Sequence, residues 1–211
     1  MNNNKNDLTI ERLWLNFQKK NALSEKQLEQ FQQYANLLIK WNKKFNITAV
    51  DDIAGIISTH FQDSIALAKV PLFSKAKSLA DVGSGGGFPG IPIKIMRPDL
   101  FVVLIEVNQK KVQFLNEVIV ALGLSEVETC DLDWRSFLRN TNYKIDFFSA
   151  RASLPVKELL RVFKPNCLYQ DSFVVYWASR HYELKENKER VCHIESYSVA
   201  RCNRKLVFFK K

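Results

Sequence analysis

The 211-residue sequence has no apolar run that approaches the roughly 18 to 20 residues needed to cross a bilayer. Its first residues, MNNNKNDLTIERLW, lack the apolar stretch and the small-residue cleavage site of a secretory signal. Internal repeats and low-complexity linkers are also missing. These absences favour a cytoplasmic protein without a membrane partner.

Cysteine and histidine are too few and too irregularly placed for a metal centre or a disulfide framework. The sequence has four cysteines with no C-x-x-C pair, and only three histidines accompany them. We therefore expect no bound metal, and we expect buried, unpaired thiols at Cys130, Cys167, Cys192 and Cys202.

Charge is distributed unevenly along the chain. The net charge is +9 in total, and it divides into +3 for residues 1–75, −1 for residues 76–150 and +7 for residues 151–211. A neutral middle suits a small ligand, whereas basic flanks suit a polyanion, because Lys and Arg that face phosphates release counterions. Ordinary solvated surface charge would give the same distribution, so the motifs must decide whether the basic flanks bind a polyanion.

The hydrophobic pattern changes near residues 71–78. Before that point it predicts two helices within residues 8–45, with a capping box from Ser24 to Gln27, and a third helix over residues 56–67. After it, short β-branched and aromatic runs alternate with helical segments, and these runs are residues 79–82, 101–107, 127–130, 145–149, 173–177 and 206–209. The pattern predicts an α/β domain over residues 76–211, a mostly parallel sheet with helices on both faces, preceded by a helical extension over residues 1–75.

Five of the seven glycines lie in one turn, at residues 83–90, between a predicted strand and a predicted helix at 91–96. Such a turn lets the backbone approach a ligand and directs helix N–H groups towards negative charge. Gly85-x-Gly87-x-x-Gly90 matches the dinucleotide fingerprint, whereas Asp81-x-Gly83-x-Gly85-x-Gly87 matches motif I of S-adenosylmethionine-dependent methyltransferases. The second interpretation is favoured because it places its first glycine directly after the strand and a carboxylate at the strand tip.

Two acidic residues are therefore candidates for binding the cofactor. Asp81 could hydrogen-bond the methionine part of the cofactor directly or through water, or else bond the adjacent loop or helix. Glu106 ends the next predicted strand, about twenty residues after the glycines, which is the spacing of a carboxylate that binds ribose hydroxyls. The alternative for Glu106 is a cap on the helix that starts near Gln109.

The segment D-V-G-S-G-G-G-F-P-G-I-P at residues 81–92 closely resembles the signature of the 16S ribosomal RNA guanine-7 methyltransferase family, historically called glucose-inhibited division protein B. W-N-K-K-F-N-I-T-A at residues 41–49 is similar to that family's W-N-x-x-x-N-L-T-A stretch, and H-F-Q-D-S at residues 60–64 to its H-x-x-D-S. Glu106 with the K-K-x-x-F-L segment at 110–115, Ile145-Asp146, Arg151-Ala152 and the segment 204–207 extend the resemblance from about residue 30 to the end.

This resemblance implies a class I methyltransferase Rossmann-like fold with S-adenosyl-L-methionine as cofactor and 16S ribosomal RNA, or the small ribosomal subunit, as partner. The cofactor pocket it implies contains Asp81, Gly83, Ser84, Gly85, Gly87, Phe88, Glu106, Asp133 and Arg151. Asp133 is carried over as a contact to the adenine, with a surface acid as the alternative. The sequence departs from the family pattern at Asp131-Leu-Asp133, where Arg-x-Glu is usual, and at Trp177-Ala-Ser179, where a Lys-Gly pair is usual.

The expected reaction needs no general base, because nitrogen 7 of guanine already has a free lone pair. We therefore predict no dedicated catalytic residue and name Arg151 and Asp63 only as positioning candidates. Asp63 could equally belong to a buried hydrogen-bonded pair with His60. Candidate RNA contacts are Lys110, Lys111, Arg151, Arg204 and Lys205, within a basic C-terminus that also holds Arg201, Lys210 and Lys211.

Two further hypotheses remain. The altered third and fifth strands would also suit a non-catalytic RNA-binding or ribosome-assembly factor that keeps the methyltransferase fold. A dinucleotide-dependent oxidoreductase is the more distant alternative. The oligomeric state cannot be determined from the sequence, and a monomer is favoured.

Overall fold

The computed structural model describes residues 2–179, 182–183, 187–200 and 202–211. The α-helices are α1 (Asn2–Asn21), α2 (Glu25–Asn42), α3 (Ile53–Gly55), α4 (Gln62–Ser64), α5 (Gly90–Met96), α6 (Gln109–Ala121), α7 (Trp134–Asn140) and α8 (Val156–Leu159). A π-helix, Ile56–Phe61, joins α3 to α4, and short 3-10 helices occupy Leu67–Lys69, Pro71–Phe73, Leu160–Phe163 and Lys188–Arg190. The strands are β1 (Ser78–Val82), β2 (Phe101–Ile105), β3 (Val127–Cys130), β4 (Phe147–Ala150), β5 (Phe173–Ser179), β6 (Val191–Val199) and β7 (Cys202–Phe209).

All seven strands form one sheet in the order β3-β2-β1-β4-β5-β7-β6. Strands β1 to β5 are parallel, and β7 runs antiparallel to both of its neighbours. The chain reverses direction across the sheet between β3 and β4, so the carboxyl ends of β1 and β4 form a topological switch point, the usual place for a ligand crevice.

The alternation of side chains along the strands separates two hydrophobic cores. Leu79 and Leu104 face the core that α1, α2, α5 and α6 cover, whereas Ala80 and Val103 face the core formed with α7 and α8. Both faces of the central strands are therefore buried, as expected for parallel strands with crossover helices. The predicted fold class is confirmed.

The N-terminal extension packs on the first of these cores through aromatic rings. Phe17, Phe31, Tyr34 and Phe61 are fully or almost fully buried, and the ring centroids of Phe31 and Phe61 are 4.9 Å apart. The predicted capping box of α2 is present, because Gln27 N donates to Ser24 Oγ and Ser24 N donates to Gln27 Oε1. Since extension and sheet share one core, the division between residues 75 and 76 remains an interpretation of the sequence.

Three local expectations were wrong, and one strand was not predicted. Residues 56–67 do not form one regular α-helix, because Ile56–Phe61 is a π-helix. Strand β6 was not predicted, and β7 begins at Cys202 rather than at residue 206. The cysteines are unpaired as expected, but none is fully buried: Cys192 and Cys202 are exposed on the β6–β7 hairpin, and the other two are half-buried.

Two features are absent from the described residues. No helix within them combines the length and the apolar character needed to cross a membrane. Across the same ranges, His, Cys, Asp and Glu do not gather in groups of three or more that could hold a metal ion.

Candidate functional site

A cavity of about 480 Å³ opens at the carboxyl ends of β1, β2 and β4. Its walls come from the glycine turn, the end of β2, the start of α7 and the segment after β4, together with three residues of the N-terminal extension, Ile47, Thr48 and His60. The volume lies within the range typical of small-molecule sites, about 300 to 1,000 Å³. The cavity therefore lies where the strand order predicts a ligand.

The glycine turn forms one wall of this cavity and is held by its own backbone. Gly83 N and Ser84 N donate to the carbonyl oxygen of Ile105 at 2.9 and 3.0 Å, which binds the turn to the end of β2. Gly83 has a φ of +69°, and a Cβ there would lie 2.6 Å from Ser153 Cβ. A larger residue at 83 would therefore be strained and would push the turn away from the segment after β4.

Glu106 connects the turn to α6 from the floor of the cavity. Its Oε2 accepts a hydrogen bond from Gly85 N at 2.8 Å, and its Oε1 accepts one from Asn108 N at 2.9 Å. Asn108, rather than Glu106, caps α6, through bonds from Lys110 N and Lys111 N. A carboxylate offers about four lone-pair sites. Glu106, which lines the cavity, therefore retains acceptor capacity for ligand hydroxyls.

Asp81 does not line the cavity, which differs from the expected contact with a ligand. Its side chain is fully buried behind the turn, where Oδ2 accepts from Gly90 N at 2.9 Å and Oδ1 accepts from Ser149 Oγ at 2.9 Å. Burial raises the pKa of Asp81 to about 6, and these hydrogen bonds oppose that rise. The carboxylate therefore connects β1 to α5 and β4, and it shapes the turn from the side opposite to the cavity.

Asp133 lies at the opposite wall and caps α7. Its Oδ1 accepts from Arg135 N at 2.9 Å and Ser136 N at 3.1 Å, and its Oδ2 accepts from Ser136 Oγ at 2.7 Å. These bonds lower the pKa of the Asp133 carboxyl, led by the bond from Ser136. The departure at Asp131 lies at the surface, where this exposed side chain accepts from Gln109 Nε2 at 3.3 Å.

Arg151 lies on the cavity side of an ion pair with Asp63. Its Nη1 is 3.1 Å from Asp63 Oδ2 and also donates to the carbonyl oxygen of Thr59 at 3.2 Å. The guanidinium carbon lies 5.2 Å from the centroid of the Phe88 ring. Since only 15% of the Arg151 side chain is exposed, its orientation is fixed before any ligand binds.

Besides Arg151, three further side chains contact Asp63: Trp177, Tyr197 and Arg204, whose Nε lies 3.9 Å from Asp63 Oδ1. The Trp177 indole Nε1 donates to the Asp63 carbonyl oxygen at 3.1 Å, and Tyr197 Oη donates to Asp63 Oδ1 at 2.6 Å. The departure in the fifth strand therefore joins β5 to the extension. In the described part of the chain, Asp63 and His60 do not bond each other, and both contact Arg151 instead. The ion pair with Asp63 thus holds Arg151 in place beside the cavity.

His60 and Thr48 also belong to the site, although neither was among the predicted site residues. Because a guanidinium only donates, His60 Nδ1 accepts from Arg151 Nη2 at 3.3 Å, so the ring proton lies on Nε2, 2.7 Å from Thr48 Oγ1. Burial, with the Arg151 charge second, lowers the pKa of His60 to about 4. The His60 ring stacks on Phe88 at 4.5 Å between centroids. The signal for both was present in the motifs at 41–49 and 60–64.

The predicted RNA contacts divide between two edges of the sheet. Arg204 and Lys205 pair with Ser179 and Ala178 at the end of β5, so they share the edge that carries the cavity. Lys111 lines the cavity, and Lys110 lies near its rim with its ammonium 4.8 Å from the Phe45 ring centroid. Lys210 and Lys211 follow the end of β7 and lie at the opposite edge. Arg201 lies outside the described residues.

The cavity lining also contains a polar atom that lacks a hydrogen-bond partner. Ser153 Oγ is buried without a hydrogen-bond partner and belongs to the cavity lining. Val107, which is 57% exposed, adds an apolar surface beside Glu106. A nucleoside with hydroxyls, an aromatic base and a polar tail fits such a combination of carboxylate, hydroxyl and apolar wall.

The strand order, the reversed β7 and the glycine turn beside an acidic strand end together define a class I methyltransferase fold. Solved structures of similar architecture include a methyltransferase from Geobacter sulfurreducens, with a TM-score of 0.58 at 15% identity, over 85% of this chain and 89% of that one. Another is the structure of M. capricolum TrmK in complex with S-adenosyl-homocysteine, with a TM-score of 0.54 at 14% identity, over 72% and 68% of the chains. At these identities the likeness shows the fold alone.

The family follows from the sequence matches. Residues 27–207 match the family model GidB, rRNA small subunit methyltransferase G. Proteins named "Ribosomal RNA small subunit methyltransferase G" are similar to this chain: that of Lysinibacillus sphaericus is 37% identical over 79% of this chain and 71% of its own, and that of Clostridium novyi is 40% identical over 59% and 51%. The chain spans between about half and three quarters of the length of such relatives. It belongs to the rRNA small subunit methyltransferase G family.

Proposed function

We propose that this protein is an S-adenosylmethionine-dependent methyltransferase that methylates nitrogen 7 of a guanine in 16S ribosomal RNA, acting in the cytoplasm on RNA or on the small ribosomal subunit. The observation that supports it most is the joint position of the glycine turn, Glu106 and Arg151 around one cavity, in a chain of this family. Residues 76–211 would form the methyltransferase domain, with residues 1–75 as its helical extension.

The cavity residues suit the cofactor by their chemistry. Glu106 would accept hydrogen bonds from the ribose hydroxyls, Ser153 Oγ would find the partner that it lacks, and Asp133 would lie near the base. When bound, S-adenosylmethionine supplies an electrophilic methyl group. The protein's own contribution is to hold this group and exclude water, because orientation in a dry pocket can lower a barrier by several kcal/mol.

The state of the titratable groups agrees with a reaction that needs no general base. Both ring nitrogens of His60 are engaged, by Arg151 and by Thr48, and Asp63 is engaged by Arg151 and Tyr197. Neither group faces the cavity as a free proton acceptor. Nitrogen 7 of guanine has an available lone pair, so the acceptor needs only to be positioned. Arg151, at the cavity rim, is the residue we assign to contact the base or its phosphate.

Two measurements test this proposal. Isothermal titration should detect binding of S-adenosylmethionine and S-adenosylhomocysteine to the purified protein, while a nicotinamide dinucleotide should not raise its melting temperature. Purified small subunits from a deletion strain should accept a labelled methyl group from the cofactor, and mapping should locate it on nitrogen 7 of one guanine. Absence of cofactor binding would defeat the proposal. Cofactor and RNA binding without transfer would instead favour the RNA-binding or assembly factor.

A further inference from the structure

A hydrogen bond from Tyr34 joins the N-terminal extension to the backbone of the glycine turn. Tyr34, on α2, is fully buried, and its hydroxyl donates a hydrogen bond to the carbonyl oxygen of Gly86, at the cavity end of the turn. Helix α2 and the turn are separated by 52 positions in the sequence, so this bond is a tertiary contact. The turn is therefore held from two sides, by Glu106 at Gly85 N and by Tyr34 at the Gly86 carbonyl.

The ring and the hydroxyl of Tyr34 fit the turn closely. The ring lies against Phe88, with centroids 5.4 Å apart and planes inclined by 24°. The hydroxyl oxygen lies only 2.6 Å from the position that a Cβ on Gly87 would take, where φ is +89°. The glycine at 87 therefore leaves the space that the tyrosine hydroxyl occupies, and the two positions depend on each other.

This contact acts at the part of the site that a ligand would meet. Gly85, Gly86 and Phe88 all line the cavity, whereas Tyr34 does not. A backbone wall that is already in its binding conformation costs a ligand less ordering than a mobile one, and this difference appears as affinity. Burial raises the pKa of Tyr34 well above its ordinary value, so the hydroxyl keeps its proton and remains a donor.

We propose that Tyr34 is a positioning residue for the cofactor: its hydroxyl fixes the glycine turn in the conformation that binds S-adenosylmethionine. The inference rests on the proposed function, since it concerns the same cavity. It assigns to the helical extension a part in fixing the backbone of the cofactor site, besides the three extension residues that line the cavity.

The test is Tyr34→Phe, which removes the hydroxyl and keeps the ring, compared with Tyr169→Phe. Tyr169 is the matched control because it is also buried and its hydroxyl is also hydrogen-bonded, to Thr141 Oγ1. Unlike Tyr34, it lies in the other core, away from the glycine turn, and it does not line the cavity. Both variants should lower the melting temperature. Only Tyr34→Phe should weaken S-adenosylhomocysteine binding, by about 3- to 10-fold, as the loss of one hydrogen bond implies. In turnover, it should raise the KM for the cofactor more than it lowers kcat.

The outcomes separate the inference from the proposed function. If the unaltered protein binds no S-adenosylhomocysteine, the proposed function fails. If it binds while Tyr34→Phe binds equally well, or if Tyr169→Phe weakens binding as much, the inference fails. Should Tyr34→Phe not fold, hydrogen exchange on the unaltered, ligand-free protein decides: protected amides at Gly87 and Phe88, whose N–H groups donate to the Ser84 carbonyl, support the inference, and unprotected ones overturn it.

Discussion

At the scale of single residues, burial and the neighbouring Arg151 charge keep the His60 ring neutral. Burial and the Arg151 charge together lower the pKa of His60 to about 4, so the ring is neutral at physiological pH. The unfolded chain takes up this proton near pH 6.5. Because the folded pKa is depressed, the stabilisation from neutral His60 is complete above about pH 6.5 and is lost as the pH falls towards 4.

We predict that the His60 ring resonances stay constant from pH 8 to pH 5.5 in a two-dimensional NMR titration. In Arg151→Met the neighbouring charge is gone, so the pKa of His60 should rise towards its ordinary range, although burial would still hold it lower. The titration should be done well below the melting temperature of both proteins. A His60 pKa near 6.5 in the unaltered protein, or no change in the variant, would contradict the geometry of this pair.

Asp81 and Glu106 both bond the glycine turn, but removing them should have different effects on stability and on cofactor binding. Asp81→Ala leaves Gly90 N buried without its acceptor, so we expect it to reduce the free energy of unfolding by about 1 to 3 kcal/mol and to weaken cofactor binding indirectly. Glu106 lines the cavity, so Glu106→Ala should weaken cofactor binding at least tenfold. Urea unfolding and isothermal titration of both variants give the two quantities. Equal stability of Asp81→Ala and the unaltered protein would show that the buried bonds contribute nothing.

Asp81 also shows what the strand pattern could have indicated. Side chains in a strand alternate between faces, so Asp81 lies on the same face as Leu79, and that face is covered by α5. The carboxylate therefore points at the helix start instead of the cavity. The motif identified Asp81 as part of this region, but the direction of its side chain depends on which face of the sheet the next helix covers.

At the scale of elements, the segment 53–64 carries the link between extension and sheet. Asp63 is contacted by Arg151 from the segment after β4, by Tyr197 from β6 and by Trp177 from β5. Its side chain is only 2% exposed, so the ion pair is shielded from solvent. Asp63→Asn removes the charge and leaves the Arg151 guanidinium partly buried without its counterion.

For Asp63→Asn we predict a loss of about 1.5 to 3 kcal/mol in unfolding free energy, together with weaker methylation of small subunits at unchanged cofactor affinity. The matched control is Asp99→Asn, which breaks the Arg97–Asp99 pair at the surface, where Asp99 is 58% exposed. That control should cost at most about 1 kcal/mol and leave activity intact. If the two variants lost equal stability and activity, the Asp63 pair would have no special part in the site.

Which elements could be predicted depended on how strongly periodicity alone specifies them. Helix α2 and strand β2 have a clear stripe or a continuous apolar run, and both were predicted at nearly their observed positions. Strand β6 is an edge strand in which exposed residues alternate with half-buried ones up to Ser198, with few large apolar side chains, so its pattern is a weak signal for a strand. The π-helix was not predictable, because the buried Ile56, Ile57 and Phe61 would suit an α-helix equally.

For the site, sequence motifs identified residues but not their partners. Glu106 and Arg151 were predicted to lie at the ligand and do line the cavity. The bond from Tyr34 to Gly86 and the contact of Trp177 with Asp63 join segments that are 52 and 114 positions apart. Such pairs depend on how the extension packs on the sheet, which no local pattern specifies.

At the scale of the whole molecule, the basic charge lies at two opposite edges of the sheet. Arg204 and Lys205 belong to the cavity edge because β7 runs antiparallel to the other strands. Lys75 and Lys144 precede β1 and β4 and therefore lie at the opposite edge, around a separate groove of about 620 Å³. Among the described basic residues of the C-terminal segment, Arg204 and Lys205 lie at the cavity edge and Lys210 at the opposite edge, so only part of this charge can meet RNA that enters the cavity.

This division predicts which lysines contribute to RNA affinity. Lys110→Gln with Lys205→Gln removes two charges at the cavity edge, so RNA affinity should fall and its logarithmic salt dependence should flatten by about 1.5, the value for two phosphate contacts. Lys75→Gln with Lys144→Gln removes the same charge from the other edge and should change neither. Filter binding of a 16S RNA fragment over a range of salt concentrations measures both slopes. If the two double variants flattened the slope equally, RNA would respond to net charge alone, and the cavity edge would not be the RNA-binding surface.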